Sequence, residues 1–152
     1  MDGRLLDGRL GNAGHVGHVI VEPDGRRCAC GARGCLEAEA SGKSITDMTG
    51  RPPAEATPQM IDRVGRLVGL AIASVSSLLD LDLTVVAGSV ALGFGARFFE
   101  AAASELAQRS RLSFTRGARV EVAGLGSAGP LIGAGAVAWR ADGRDLANRG
   151  PA

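Results

Sequence analysis

The three cysteines of this 152-residue chain fall together, at Cys28, Cys30 and Cys35, and His18 stands just upstream. Three thiols and one imidazole are the ligand set of a tetrahedral zinc site. Gly31 and Gly34 supply the tight backbone turns that aim several thiolates at one point. The competing reading is disulfide pairing. Three cysteines cannot pair fully within one chain, and Cys28 and Cys30 are too close in sequence for an easy bridge. A zinc held by His18, Cys28, Cys30 and Cys35 has no open position for chemistry. It would be structural, fixing a loop over about residues 18–37.

The rest of the composition narrows the function classes. The formal net charge is only +1, so there is no electrostatic case for nucleic acid. One tryptophan, four phenylalanines and no tyrosine leave no base-stacking platform. Reduced cysteines in a metal motif point to the cytoplasm. The start, Met1-Asp2-Gly3-Arg4, lacks the apolar stretch of a signal peptide. The apolar stretch from Leu67 to Leu79 is interrupted by serines and bounded by Arg66 and Asp80, too short for a membrane span. The length suits one domain with a modest core.

Residues 1–15, rich in Gly, Asp and Arg, read as a hairpin remnant and a loop. Val19-Ile20-Val21 is β-branched and reads as a short strand. Pro23-Asp24-Gly25 is a turn, Leu36 to Ala40 can begin a helix, and Gly50-Arg51-Pro52-Pro53 is a connector. Thr57-Pro58 opens the strongest helix, with Thr as N-cap, Pro at the first helical position and Asp62 near the positive dipole end. Its apolar stripe is Ile61, Val64, Val68, Ile72, Val75 and Leu79. Gly65, Gly69 and Ala73 form a second, small-residue face. Each glycine costs about 1 kcal/mol of helix stability, so either another backbone comes close here or the glycines are merely tolerated.

Leu83 to Ala87 reads as a strand buried on both faces, as in a parallel sheet. Phe98, Phe99, Ala102 and Leu106 mark a following helix. Val120 and Val122 alternate with Arg119 and Glu121 as a second strand, and Pro130 starts a last helix. This order implies an α/β layer fold. Residues 142–152 read as a flexible tail. Gly88 and Ser89 suit the approach of a nucleotide to a helix start, and equally a tight strand-to-helix turn. Gly124 and Gly126 leave the same two readings open.

Several motifs together carry a family resemblance. Gly17-His18, Pro23-Asp24-Gly25, Cys28-x-Cys30-Gly31-x-x-Gly34-Cys35-x-Glu37 and Ser41-Gly42 closely resemble the zinc motif of the ROK family. That family contains bacterial glucokinases, related sugar kinases and sugar-responsive repressors. Thr84 to Ala91 resembles its strand and glycine-rich turn near the adenosine. Gly124 to Ala134 resembles the segment before its C-terminal helix. The match runs from about Asp2 to Arg140.

The resemblance implies the C-terminal lobe of an actin-like, ribonuclease H-like fold over residues 1–141. It implies ATP and magnesium as partners in transferring the γ-phosphate to a hexose or amino-hexose. It implies that Glu37 accepts hydrogen bonds from sugar hydroxyls, as a carboxylate can from two at once; without the family, Glu37 reads as a solvated helix-start residue. His18 would bind zinc through one ring nitrogen and leave the other for a hydroxyl. His15 departs from the family pattern, which places a sugar-binding glutamate three residues before this histidine. Gly88 and Ser89 would border the nucleotide.

The Asn-Asp pair that supplies the family's base does not occur in this sequence, and no residue of the chain is read as catalytic. A chain of this kind is expected to be inactive alone and to self-associate or pair with an N-terminal lobe. The rival readings are a remnant of a sugar-responsive repressor and a zinc-stabilised binding module with no enzymatic role.

Overall fold

The computed structural model describes residue 6 and residues 8–141. The expected tail over residues 142–152 lies outside these residues, as do residues 1–5 and 7 of the expected N-terminal hairpin remnant and loop. In chain order the elements are α1 (Leu36–Ala40), α2 (Gly42–Thr49), α3 (Pro58–Leu79), β1 (Leu83–Val86), α4 (Ser89–Arg109), β2 (Arg119–Val122) and α5 (Gly129–Ala141). Short 3-10 turns occupy Val16–His18, Pro53–Glu55 and Gly126–Ala128. The architecture is α/β.

Helix α3 starts where its sequence signals place it. Thr57 Oγ1 accepts from the Met60 N–H at 3.3 Å, and Pro58 takes the first helical position. Asp62 plays a different part from the one expected. It lies beyond the first turn and receives two hydrogen bonds from Arg97 of α4, at 2.7 and 2.6 Å. That guanidinium holds the Asp62 carboxyl below its ordinary range, with a smaller contribution from Arg66.

Gly65 and Gly69 are where α4 comes close. A Cβ on Gly65 would lie 2.6 Å from the Phe98 carbonyl oxygen and 2.8 Å from the Ala101 Cβ. On Gly69 it would run into the Ala102 carbonyl oxygen. Contacts advance in the same direction along both helices, so they run parallel. Close backbone approach, and not tolerance, accounts for both glycines.

Strands β1 and β2 pair in parallel, Leu83 opposite Arg119 and Val86 opposite Val122, with α4 as the crossover. Val120 is buried against Ile72, Ala73, Ala102 and Leu106. A second cluster joins Ala40, Ile45, Val64, Ala91, Phe94 and Phe98. The expectation that β1 is covered on both faces is not met. Leu83 is 40% exposed and Val85 59% exposed, because among the described residues helices cover only one face of this two-stranded sheet. Helix α4 is also longer than its apolar pattern suggests, and bends at Gly95, whose φ of 62° and ψ of −149° are not helical. Helix α5 leaves Leu131 and Val137 exposed. Among the described residues no helix is long and apolar enough to cross a membrane.

The expected strand at Val19–Val21 is reduced to one antiparallel bridge between Ile20 and Cys35. The Leu36 N–H donates to the Val19 carbonyl and the Val21 N–H to that of Gly34. Three residues are too few for a ladder. The segment still docks, because Val21 is buried with Leu67 and Ala71 on a further side of α3.

Candidate metal centre

The Nδ1 or Nε2 of His18 and the Sγ atoms of Cys28, Cys30 and Cys35 lie within 4.8 Å of one another. His18 Nδ1 is 3.8 Å from Cys28 Sγ, and Cys30 Sγ is 3.7 Å from Cys35 Sγ. A tetrahedral zinc with bonds of about 2.0–2.3 Å has ligand–ligand edges of about 3.5–3.8 Å. The donor set and these two edges fit the metal. They do not fit a disulfide, whose sulfurs stand about 2 Å apart, and all three cysteines are free.

The thiols differ in acidity. Burial, then hydrogen bonding to the Cys30 and Cys28 thiols, pushes Cys35 up to about 12. A backbone hydrogen bond at Ala32, then the Cys28 and Cys35 thiols, lower Cys30. Without a cation, three close-set thiols, those of Cys28 and Cys35 buried, resist holding three negative charges. A divalent ion makes thiolates the favoured form.

The loop is positioned by side chains the sequence reading passed over. Glu39 is 1% exposed, and it ties the loop to α3. Its Oε1 accepts from the Arg26 N–H at 2.5 Å, and its Oε2 from Arg63 Nη2 at 2.6 Å. Arg63 Nη1 also donates to the Glu39 carbonyl at 2.9 Å. Gly25 and Gly34 are required beside this anchor. A Cβ on Gly25 would meet Glu39 Oε1, and one on Gly34, at φ +69°, would overlap the Glu22 carbonyl. The available signal was an alternation, Leu36-Glu37-Ala38-Glu39-Ala40, in which one acid must face inward. Its partner lies 24 residues on, beyond the reach of local patterns.

Glu37 and His18 are brought together. His18 Nε2 lies 3.7 Å from Glu37 Oε2 while its Nδ1 faces Cys28, so one imidazole bridges the sulfur cluster and an exposed carboxylate. His15 stacks on His18 with ring centroids 5.9 Å apart and planes at 19°. Glu37 also lines a cavity of about 260 Å³ with Arg26, Arg27, Ser41 and Lys43. Gly88 and Ser89 stand apart, at the carboxyl end of β1. Gly88 takes φ 102°, and Ser89 lines a cavity of about 390 Å³ with Gly42, Pro52, Pro53, Val90 and Phe94. The start of α2 separates the two hollows: Ser41 lines one and Gly42 the other.

The sequence model of the ROK family matches residues 1–141. This chain belongs to the ROK family. The N-acetylmannosamine kinase of Citrobacter koseri is 36% identical over 109 residues, which are 62% of this chain and 38% of that kinase. The crystal structure of a ROK hexokinase from Thermus thermophilus superposes with a TM-score of 0.72 at 30% identity, over 87% of this chain and 49% of that one. A ROK glucokinase from Streptomyces griseus, solved with glucose and AMPPNP, gives 0.72 at 25% identity, over 88% and 54%. The chain therefore spans about two fifths to one half of the ROK proteins it matches, and shares their α/β fold.

Proposed function

We propose that residues 1–141 form the C-terminal lobe of an ATP-dependent ROK sugar kinase. The observation that carries this is the bridge from metal cluster to carboxylate: His18 offers Nδ1 to the cysteines and Nε2 to Glu37. Zinc at His18, Cys28, Cys30 and Cys35 fixes the loop, and so fixes Glu37 before a sugar arrives. Prior fixing lowers the ordering cost of binding. Glu37 would accept from two neighbouring hydroxyls of a hexose or amino-hexose, with His18 oriented by its metal bond. His15, stacked on His18, borders the same ligand. A neutral imidazole accepts one hydrogen bond where a carboxylate accepts several, so affinity for an uncharged hexose is low.

The turn at Gly88 and Ser89 would admit the adenosine of ATP to the end of β1. A side chain at Gly88 would be strained at its positive φ. Magnesium would enter with the nucleotide phosphates. The base that deprotonates the sugar hydroxyl would come from the other lobe, so the 152-residue chain alone would transfer no phosphate.

The test is a protein in which a ROK N-terminal lobe precedes residue 1, with sugar binding followed by calorimetry. His15→Glu is expected to tighten hexose binding by about ten- to a hundredfold, from 1.5–3 kcal/mol for one charged hydrogen bond. Glu37→Ala in the same protein undoes the gain. A fused protein with full zinc content that binds neither hexose nor ATP would defeat the proposal.

A further inference from the structure

A separate cavity of about 330 Å³ lies between the end of α4 and the start of β2, lined by Ala107, Ser110, Arg111, Arg116, Gly117 and Ala118. Because β1 and β2 are parallel, this is the amino end of the strands, opposite the Gly88–Ser89 turn. It is therefore distinct from the proposed sugar and nucleotide sites.

Two observations converge on the chemistry of its ligand. Ser110 is 6% exposed, and its Oγ is the one buried side-chain oxygen or nitrogen without a hydrogen-bond partner among the described residues. Buried polar atoms are normally satisfied, and an orphan calls for an explanation. A turn about χ1 moves this hydroxyl without moving the backbone. Arg111 and Arg116, beside it, have no carboxylate partner among the described residues. The neighbouring arginines differ: Arg109 donates to Glu105 at 2.7 Å, and Arg119 lies 4.0 Å from Glu121. Two arginines without a carboxylate partner among the described residues and a serine with an unpartnered hydroxyl, which a turn about χ1 can redirect, therefore line one hollow. All three are donors, and an oxyanion is the acceptor that fits them. The carboxyl end of α4 opposes an anion, but that dipole acts weakly beside two full positive charges.

We propose that this cavity is an oxyanion site, taking a phosphate group held by Arg111 and Arg116 with the Ser110 hydroxyl as third donor. The group could come as inorganic phosphate or on a small phosphate monoester. Both share the recognising chemistry.

The experiment titrates the 152-residue chain with inorganic phosphate and, separately, with glucose 6-phosphate at constant ionic strength, following binding by calorimetry and thermal unfolding. Saturable binding and a rise in Tm are expected with at least one of the two. Tighter binding of the ester identifies a phosphorylated metabolite as the source, and equal binding identifies the bare anion. Arg116→Gln and Arg111→Gln should each weaken binding by about ten- to a hundredfold. Ser110→Ala should weaken it by about fivefold, yet leave the unliganded protein as stable or more stable, since it removes an unsatisfied buried group. No saturable binding of either probe, or binding unchanged in both arginine variants, would overturn the site. A Ser110→Ala protein that is less stable without anion would overturn the orphan hydroxyl as part of it.

Discussion

Gly65→Ala tests how α3 meets α4. In an open helix this change favours folding by about 1 kcal/mol, through helix propensity. Here the new methyl would stand 2.6 Å from the Phe98 carbonyl oxygen and 2.8 Å from the Ala101 Cβ. Ordinary contact needs about 3.4 Å or more, so the helices must part by several tenths of an ångström. Overpacking of a tight core costs about 1–3 kcal/mol. The backbone oxygen cannot turn aside, so the upper half of that range applies. The net effect is a loss of about 1–2 kcal/mol, or a fall in Tm of about 2–8 °C for a domain of this size. Gly93→Ala is the control. It lies in α4 with nothing within 4 Å of the added carbon, and should gain about 0.5–1 kcal/mol. Urea unfolding of both variants gives the two signs directly. A Gly65→Ala protein at least as stable as the parent would refute the close approach of the two backbones.

Four other outcomes follow from the same geometry. Protein purified without chelator should carry about one equivalent of zinc, and Cys30→Ser should lose it; metal analysis that finds full retention would remove Cys30 from the ligand set. Glu39→Ala leaves the Arg63 guanidinium and the Arg26 N–H without their acceptor, and should cost about 3 kcal/mol in denaturant unfolding. Arg97 lowers the Asp62 pKa, so this pair's contribution is complete above about pH 4 and declines as pH falls through the lower folded value; the stability gap between parent and Asp62→Asn should narrow on acidification, and a constant gap would contradict it. The exposed Leu83 and Val85 of the sheet, with Leu131 and Val137 of α5, should drive self-association of the chain, which sedimentation at rising concentration would reveal.

The cluster of metal-ligating side chains was legible because its information is local. Side-chain type and short spacing fix Cys28, Cys30 and Cys35 as a group, and Gly31 and Gly34 announce the turns. The start of α3 was legible for the same reason: Thr57 and Pro58 act on backbone groups within one turn. The two glycines of α3 stated that something comes close, but only the packed structure names Phe98 and Ala102 as what does. Partners distant in the chain were out of reach. Asp62 looked like a dipole residue until α4 delivered Arg97, and Glu39 drew no notice until α3 delivered Arg63. Burial of β1 was misread because an apolar run records what a strand tolerates on its faces, while the coverage of each face depends on elements elsewhere. The sequence by itself determined the local chemistry, the candidate ligand set and the start of α3, since propensity and spacing act over a few residues. Tertiary structure alone decided which charges pair, which face of the sheet is covered and that His18 reaches Glu37, since those depend on distances that close only when the chain folds.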